Sequence, residues 1–192
     1  MANKKIAITG IPAADRLLIQ SPLALFIGML LDQQIPMEWA FRGPYVLRER
    51  LGGLNAKAIA DMSPTAIEKA FCTKPALHRF PGSMAKRTQA LCQAFVDDYA
   101  GQPARVWTTA RNGEELRTRL EALPGFGPEK TKIFIALLGK RLGVAPTGWK
   151  AASKPFSDPT LRSVADIDSP VALEAVRAWK KAQKARGKSK AE

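Results

Sequence analysis

The segment best suited to act on another molecule is Leu123-Pro124-Gly125-Phe126-Gly127-Pro128. Two glycines one residue apart let the backbone turn sharply and approach a partner closely. Pro128 then opens a helix, whose first N–H groups have no intrahelical partner and suit a phosphate. Lys130 and Lys132 follow at once and add positive charge beside that phosphate. This is the physics of a hairpin that grips a nucleic-acid backbone without reading its sequence. The alternative is a plain connection between two helices. Other chemistries are poorly supplied. One histidine, His78, is a thin basis for a zinc site or a serine-type triad. Cys72 and Cys92 are too few for a disulfide framework or the four thiolates of an iron–sulfur cluster.

Thirty Lys and Arg against seventeen Asp and Glu leave a net charge of +13 over 192 residues. That excess calls for a polyanionic partner, nucleic acid before an acidic membrane surface. A composition 46% hydrophobic and 24% charged is ordinary for a globular protein and excludes a wholly disordered chain. The basic start Met1-Ala2-Asn3-Lys4-Lys5 is followed by a short apolar stretch broken at Gly10 and Pro12, which is no signal peptide. The longest apolar run, Leu23 to Leu31, falls far below the ~20 residues of a membrane span. A cytoplasmic chain with no membrane partner is expected.

The elements that must position the hairpin read as helices joined by turns. Ser-Pro recurs as a helix start at Ser21-Pro22, Ser63-Pro64 and Ser169-Pro170, with the hydroxyl capping and proline at the first helical position. The helix after Pro22 is apolar on every face and belongs at the centre. A second runs from about Pro36, breaks at Gly43-Pro44 and resumes to Gly52-Gly53. Leu54 to Ala60 and Pro64 to Phe71 are shorter helices. Ser83 opens a long one to about Tyr99, with Ala85, Ala90, Leu91, Ala94 and Phe95 as its apolar stripe. Helices from Gly113 to Ala122 and from Glu129 to Leu142 flank the hairpin. Ala145 to Pro159 reads as a surface loop, and a last helix follows Pro170. Lys5 to Thr9 is the one candidate strand, without a partner. The fold class is all-α. Residues 1–170 form the main domain and 171–192 a basic helix and tail. The tail's Arg177, Lys180, Lys181, Lys184, Arg186, Lys188 and Lys190 make a phosphate-binding arm or a merely solvated end.

Three segments together resemble a known family. Leu30-Leu31-Asp32-Gln33-Gln34-Ile35, then Phe80-Pro81-Gly82-Ser83-Met84-Ala85-Lys86, then the hairpin at 123–131 are similar, in that order, to the helix-hairpin-helix DNA glycosylase superfamily. That superfamily includes endonuclease III and the adenine-mismatch and alkyladenine glycosylases. The resemblance covers about residues 22–142. It implies two helical lobes, with double-stranded DNA and a flipped base in the cleft between them. It implies that Gln33 or Gln34 fills the gap left by the base, and that Phe80 wedges between bases. Arg79, with His78, would meet phosphate, as would Gly125, Phe126, Gly127, Lys130 and Lys132 of the hairpin. The family's hairpins often hold a monovalent ion on their carbonyls; no iron–sulfur cluster and no other metal is expected here, and a monomer is.

Two departures bear on the chemistry. Bifunctional members carry a nucleophilic lysine at the second position after Gly-x-Gly, where this chain has Glu129. Lys130 stands one step on, about 100° around the helix, and is expected to point away from that pocket. The family's catalytic aspartate would fall near Thr147-Gly148, where there is no carboxylate. Asp158, in Ser157-Asp158-Pro159-Thr160, resembles the family's aspartate-led helix displaced by an insertion; an ordinary helix cap is its other reading. Asp32 is the second candidate. A cleft carboxylate would stabilise an oxocarbenium-like sugar and orient water. The resemblance therefore implies a monofunctional DNA glycosylase of base-excision repair, with a noncatalytic DNA-binding or damage-recognition protein of the same fold as the alternative.

Overall fold

Ser21 turns the chain between the first two helices. In the computed structural model, which describes residues 4–187, α1 (Pro12–Gln20) and α2 (Pro22–Leu31) meet there at 113°. The Ser21 hydroxyl accepts the Ala24 N–H at 3.2 Å, capping α2. Every residue of α2 from Leu23 to Leu31 is buried, as an all-round apolar helix requires. Helix α3 (Met37–Leu51) lies closely along it. A Cβ on Gly28 would sit 2.8 Å from the Phe41 ring, and one on Gly43 would sit 2.6 Å from a Leu31 methyl. This contact carries α3 unbroken through Gly43-Pro44, where the sequence predicts an interruption. Tight burial against α2 outweighs the backbone hydrogen bond that Pro44 cannot donate.

Helices α4 (Ala56–Ala60) and α5 (Pro64–Cys72) pack on the long α6 (Pro81–Tyr99). Downstream come α7 (Arg105–Thr108), α8 (Gly113–Glu121), α9 (Pro128–Leu137), α10 (Trp149–Ala152) and α11 (Pro170–Ala185). Helix α9 continues as a π-helical turn over Leu138–Leu142. The earlier and later helices meet around Phe26 of α2. Its ring centroid lies 4.8 Å from Phe95, 5.6 Å from Phe126 and 4.7 Å from Phe134. The protein is all-α, with no strand among the described residues. No single described helix is long and apolar enough to cross a membrane.

Three local expectations give way to side-chain chemistry. Lys5–Thr9 forms no strand; the Ile8 and Thr9 N–H groups donate instead to Asp15 Oδ1, at 3.1 and 2.9 Å. The stretch from Ala145 to Pro159 is not a surface loop, because it contains α10 and buries Ser153 and Phe156 completely. No helix begins at Asp158, which lies in a bend. The next helical turn is a 3-10 turn at Val164–Asp166, closed by reciprocal hydrogen bonds between Ser163 and Asp166. The π-helical turn aims cations at this region. Lys140 Nζ donates to Asp166 at 2.6 Å and to the Asp158 carbonyl at 2.5 Å, and Arg141 donates to Asp168 at 2.5 Å. Burial works to raise the pKa of Asp168, but the Arg141 hydrogen bond and charge hold it below its ordinary value. Ala172 and Val176 of α11 are buried, so the C-terminal helix is packed against the body of the protein.

Helix α8, which leads into the hairpin, is braced by Glu115. Its carboxylate accepts the Arg111 guanidinium and the Arg111 backbone N–H, both at 2.9 Å, and Arg119 at 2.6 Å. These hydrogen bonds, led by that of the Arg111 side chain, lower its pKa from 4.5 to about 2. A depressed carboxyl pKa stabilises the folded state above the unfolded value and loses that contribution as pH falls through the folded one. The thermal midpoint is therefore expected to drop between about pH 4.5 and 2, and Glu115→Gln to flatten that drop, as followed by circular dichroism.

Candidate nucleic-acid interface

The hairpin is a turn built on proline and glycine. The Phe126 N–H donates to the Leu123 carbonyl at 3.1 Å, and Gly125 has φ +84°. Proline second and a left-handed glycine third make this a type II turn. The two glycines do different work. A Cβ on Gly125 would meet a Leu30 methyl at 2.3 Å, so Gly125 seats the turn against α2. Around Gly127, which precedes α9 in an extended conformation, an added Cβ would meet nothing. Gly127 is thus the exposed point at which another backbone could approach. Phe126 corrects the expectation of contact: its side chain is buried among Phe26 and Phe134 and serves the core. A monovalent ion at this turn would be held by carbonyls, of which those of Leu123 and Gly127 each already accept a backbone N–H.

The turn after α2 separates its two glutamines. Gln33 is tied down: Nε2 donates to the Leu30 carbonyl at 2.8 Å, and Oε1 accepts from Arg87 at 3.2 Å. Gln34 is exposed, with a left-handed φ of +58° that a side chain adopts only when its surroundings hold it there. Phe80 is also exposed, 45% of its surface being open to solvent, and the Arg79 guanidinium lies over its ring at 5.2 Å. His78 departs from the expected phosphate contact. It is buried, 1% exposed, and bonded to backbone on both sides.

Two hollows meet at Asp32. One, of about 620 Å³, is lined by the turn Asp32–Glu38 and by Arg177, Lys180 and Lys184 of α11. The other, of about 310 Å³, lies between Met29, Asp32 and the start of α9, including Gly127, Glu129 and Lys130. Asp32 borders both, and its carboxylate enters no ion pair among the described residues. Asp158 borders neither. Lys130 also departs from expectation, since it lines the smaller hollow, with its ammonium donating to the Leu30 carbonyl at 3.0 Å. Lys132 is half-buried and lines neither hollow.

The basic rim contributed by α11 was legible only as charge. Steps of three and four residues put Arg177, Lys180 and Lys184 on one helical face, but nothing in the sequence names the turn opposite. Arg177 Nε reaches Glu38 at 2.5 Å and Lys180 Nζ reaches Met37 Sδ at 3.4 Å, which fixes α11 over that turn. Lys188 and Lys190 of the expected arm lie outside the described residues. No protein-family model and no curated protein matches the chain.

Two measurements check this geometry. Gly125→Ala is expected to cost about 1 kcal/mol or more in urea unfolding, from the left-handed φ and the Leu30 contact, whereas Gly127→Ala leaves the midpoint nearly unchanged. Burial in α6 pushes the Cys92 thiol up to about 12, while Cys72 is exposed. Iodoacetamide at neutral pH should therefore label Cys72 alone until the chain is unfolded, as read by mass spectrometry; equal labelling would mean that α6 opens in the native state.

Proposed function

We propose that this chain binds double-stranded DNA as a monomer and acts as a monofunctional, base-excision DNA glycosylase, cleaving the N-glycosidic bond of a damaged or mismatched base. The observation that carries the reading is Asp32, a carboxylate without an ion pair among the described residues, where the hollow beside the hairpin meets the hollow beside the Gln34 turn. In this scheme the open backbone at Gly127 and the α9 N-terminus take a phosphate, with Arg79 and Lys184 adding charge along the duplex. Phe80 enters the base stack and Gln34 fills the vacated space, while Gln33 stays with the protein. The Asp32 carboxylate stabilises positive charge on the sugar as the bond to the base breaks, and orients the attacking water. The Lys130 ammonium is engaged by the Leu30 carbonyl, and Glu129 stands where a bifunctional enzyme has its nucleophile, so no Schiff base is part of the scheme.

A second reading has its own support. Thr147-Gly148 offers no carboxylate, and Asp158 neither begins a helix nor lines either of the two hollows at Asp32. A noncatalytic DNA-binding protein of the same build would need none.

Duplexes carrying uracil, alkylated or oxidised bases, and an abasic analogue, separate these readings. Affinity should fall steeply with salt and drop on Gly127→Val for every sequence alike. Base release should be lost in Asp32→Asn and kept in Asp158→Asn, with no borohydride trapping in either. Release that survives Asp32→Asn would overturn the assignment of Asp32. Salt-sensitive binding without release from any duplex would favour the noncatalytic protein.

A further inference from the structure

We infer that His78 is a positioning residue that joins the Gln34 turn and the Phe80 loop into one jaw, so that both side chains enter a duplex together. This rests on the DNA-binding reading above and goes beyond it. The His78 ring lies between two backbone segments that share no helix. Its Nδ1 accepts the Phe80 N–H at 3.0 Å, which requires that nitrogen to carry no proton. The proton therefore sits on Nε2, which donates to the Gln33 carbonyl at 2.9 Å.

That carbonyl belongs to the peptide immediately before Gln34, so His78 fixes the plane from which the left-handed φ of Gln34 is measured. The other end of the ring fixes the amide of Phe80, the residue that caps α6 without a side-chain hydrogen bond of its own. Gln33 completes the clamp from a third direction, through Arg87 of α6 and the Leu30 carbonyl of α2. At 1% exposure the ring is shielded from water that would compete for either bond. The two exposed side chains are thus one imidazole apart along the hydrogen-bonded path. Displacing either loop breaks a hydrogen bond to the buried ring.

The experiment uses the full chain and a duplex with a central abasic analogue. 2-Aminopurine is placed beside the lesion in one strand, or opposite it in the other. Stopped-flow mixing with the unmodified chain should give the same rate of fluorescence increase from both positions. Two independent rates would overturn the jaw. Equilibrium binding of Gln34→Ala, Phe80→Ala and their combination should deviate from additivity by about threefold or more. His78→Asn keeps an acceptor for the Phe80 N–H, as an Asx turn does, but is too short to reach Gln33. In that background the coupling should vanish while the thermal unfolding stays cooperative. Coupling that persists in His78→Asn would assign His78 a purely structural role and overturn the inference. Absence of any salt-sensitive binding by the unmodified chain would instead refute the DNA reading on which it rests.

Discussion

The carbonyl of Leu30 is the point on which the candidate interface hangs. A helix leaves its last carbonyls without intrahelical donors, and in α2 those carbonyls lie inside the protein because the helix is buried all round. An unpaired buried carbonyl costs about 1–3 kcal/mol. Leu30 meets this with two donors, Gln33 Nε2 from the following turn and Lys130 Nζ from the helix behind the hairpin. Its side chain meanwhile reaches the site of a Cβ on Gly125, so glycine lets the hairpin close on α2 without displacing it. One residue therefore sets both the turn that displays Gln34 and the hairpin that displays Gly127. Lys130 lines the smaller hollow as a consequence of satisfying a backbone group.

That dependence explains what could and could not be read from the residues. Ser-Pro starts, the all-apolar run of α2 and the Leu-Pro-Gly turn are local signals, and the structure has a helix or turn at each. Tertiary contacts decided the rest. Gly43-Pro44 looks like a break until Leu31 is known to press on Gly43. Phe156 looks like loop until its burial is seen, because a single aromatic among Pro, Ser and Lys carries no periodicity. Asp158-Pro159 has the composition of a helix start, but Lys140 takes the Asp158 carbonyl, and the capping falls to Ser163 and Asp166. For the interface, residue types pointed to the hairpin and the glutamine pair. Sequence alone had no means of telling Gln33 from Gln34, since their difference lies in partners on α2 and α6.

The surplus of positive charge has the same character. Several carboxylates are committed to local ion pairs, as in Arg111–Glu115–Arg119, Arg117–Glu121 and Lys140–Asp166. The exposed pairs among these, at α8, add little stability, whereas Lys140–Asp166 is buried. Their effect on the field is larger, because each cancels a cation in place and leaves the uncancelled ones to define the basic surface. Arg79, over the Phe80 ring, and Lys184, which lines the hollow beside Gln34, stand among the latter.

Asp32 sits where local electrostatics do not favour it. It occupies the C-cap of α2, at the negative end of the helix dipole, where an anion is disfavoured by about 0.3–1 kcal/mol. Its side chain accepts no capping hydrogen bond and forms no ion pair within 4 Å among the described residues. Core residues are placed where physics favours them; a residue placed against that preference, at the meeting of two hollows, is where local and global requirements conflict. In the proposed reaction the Asp32 carboxylate would instead meet a positive charge supplied from outside the protein. An oxocarbenium-like sugar is such a charge.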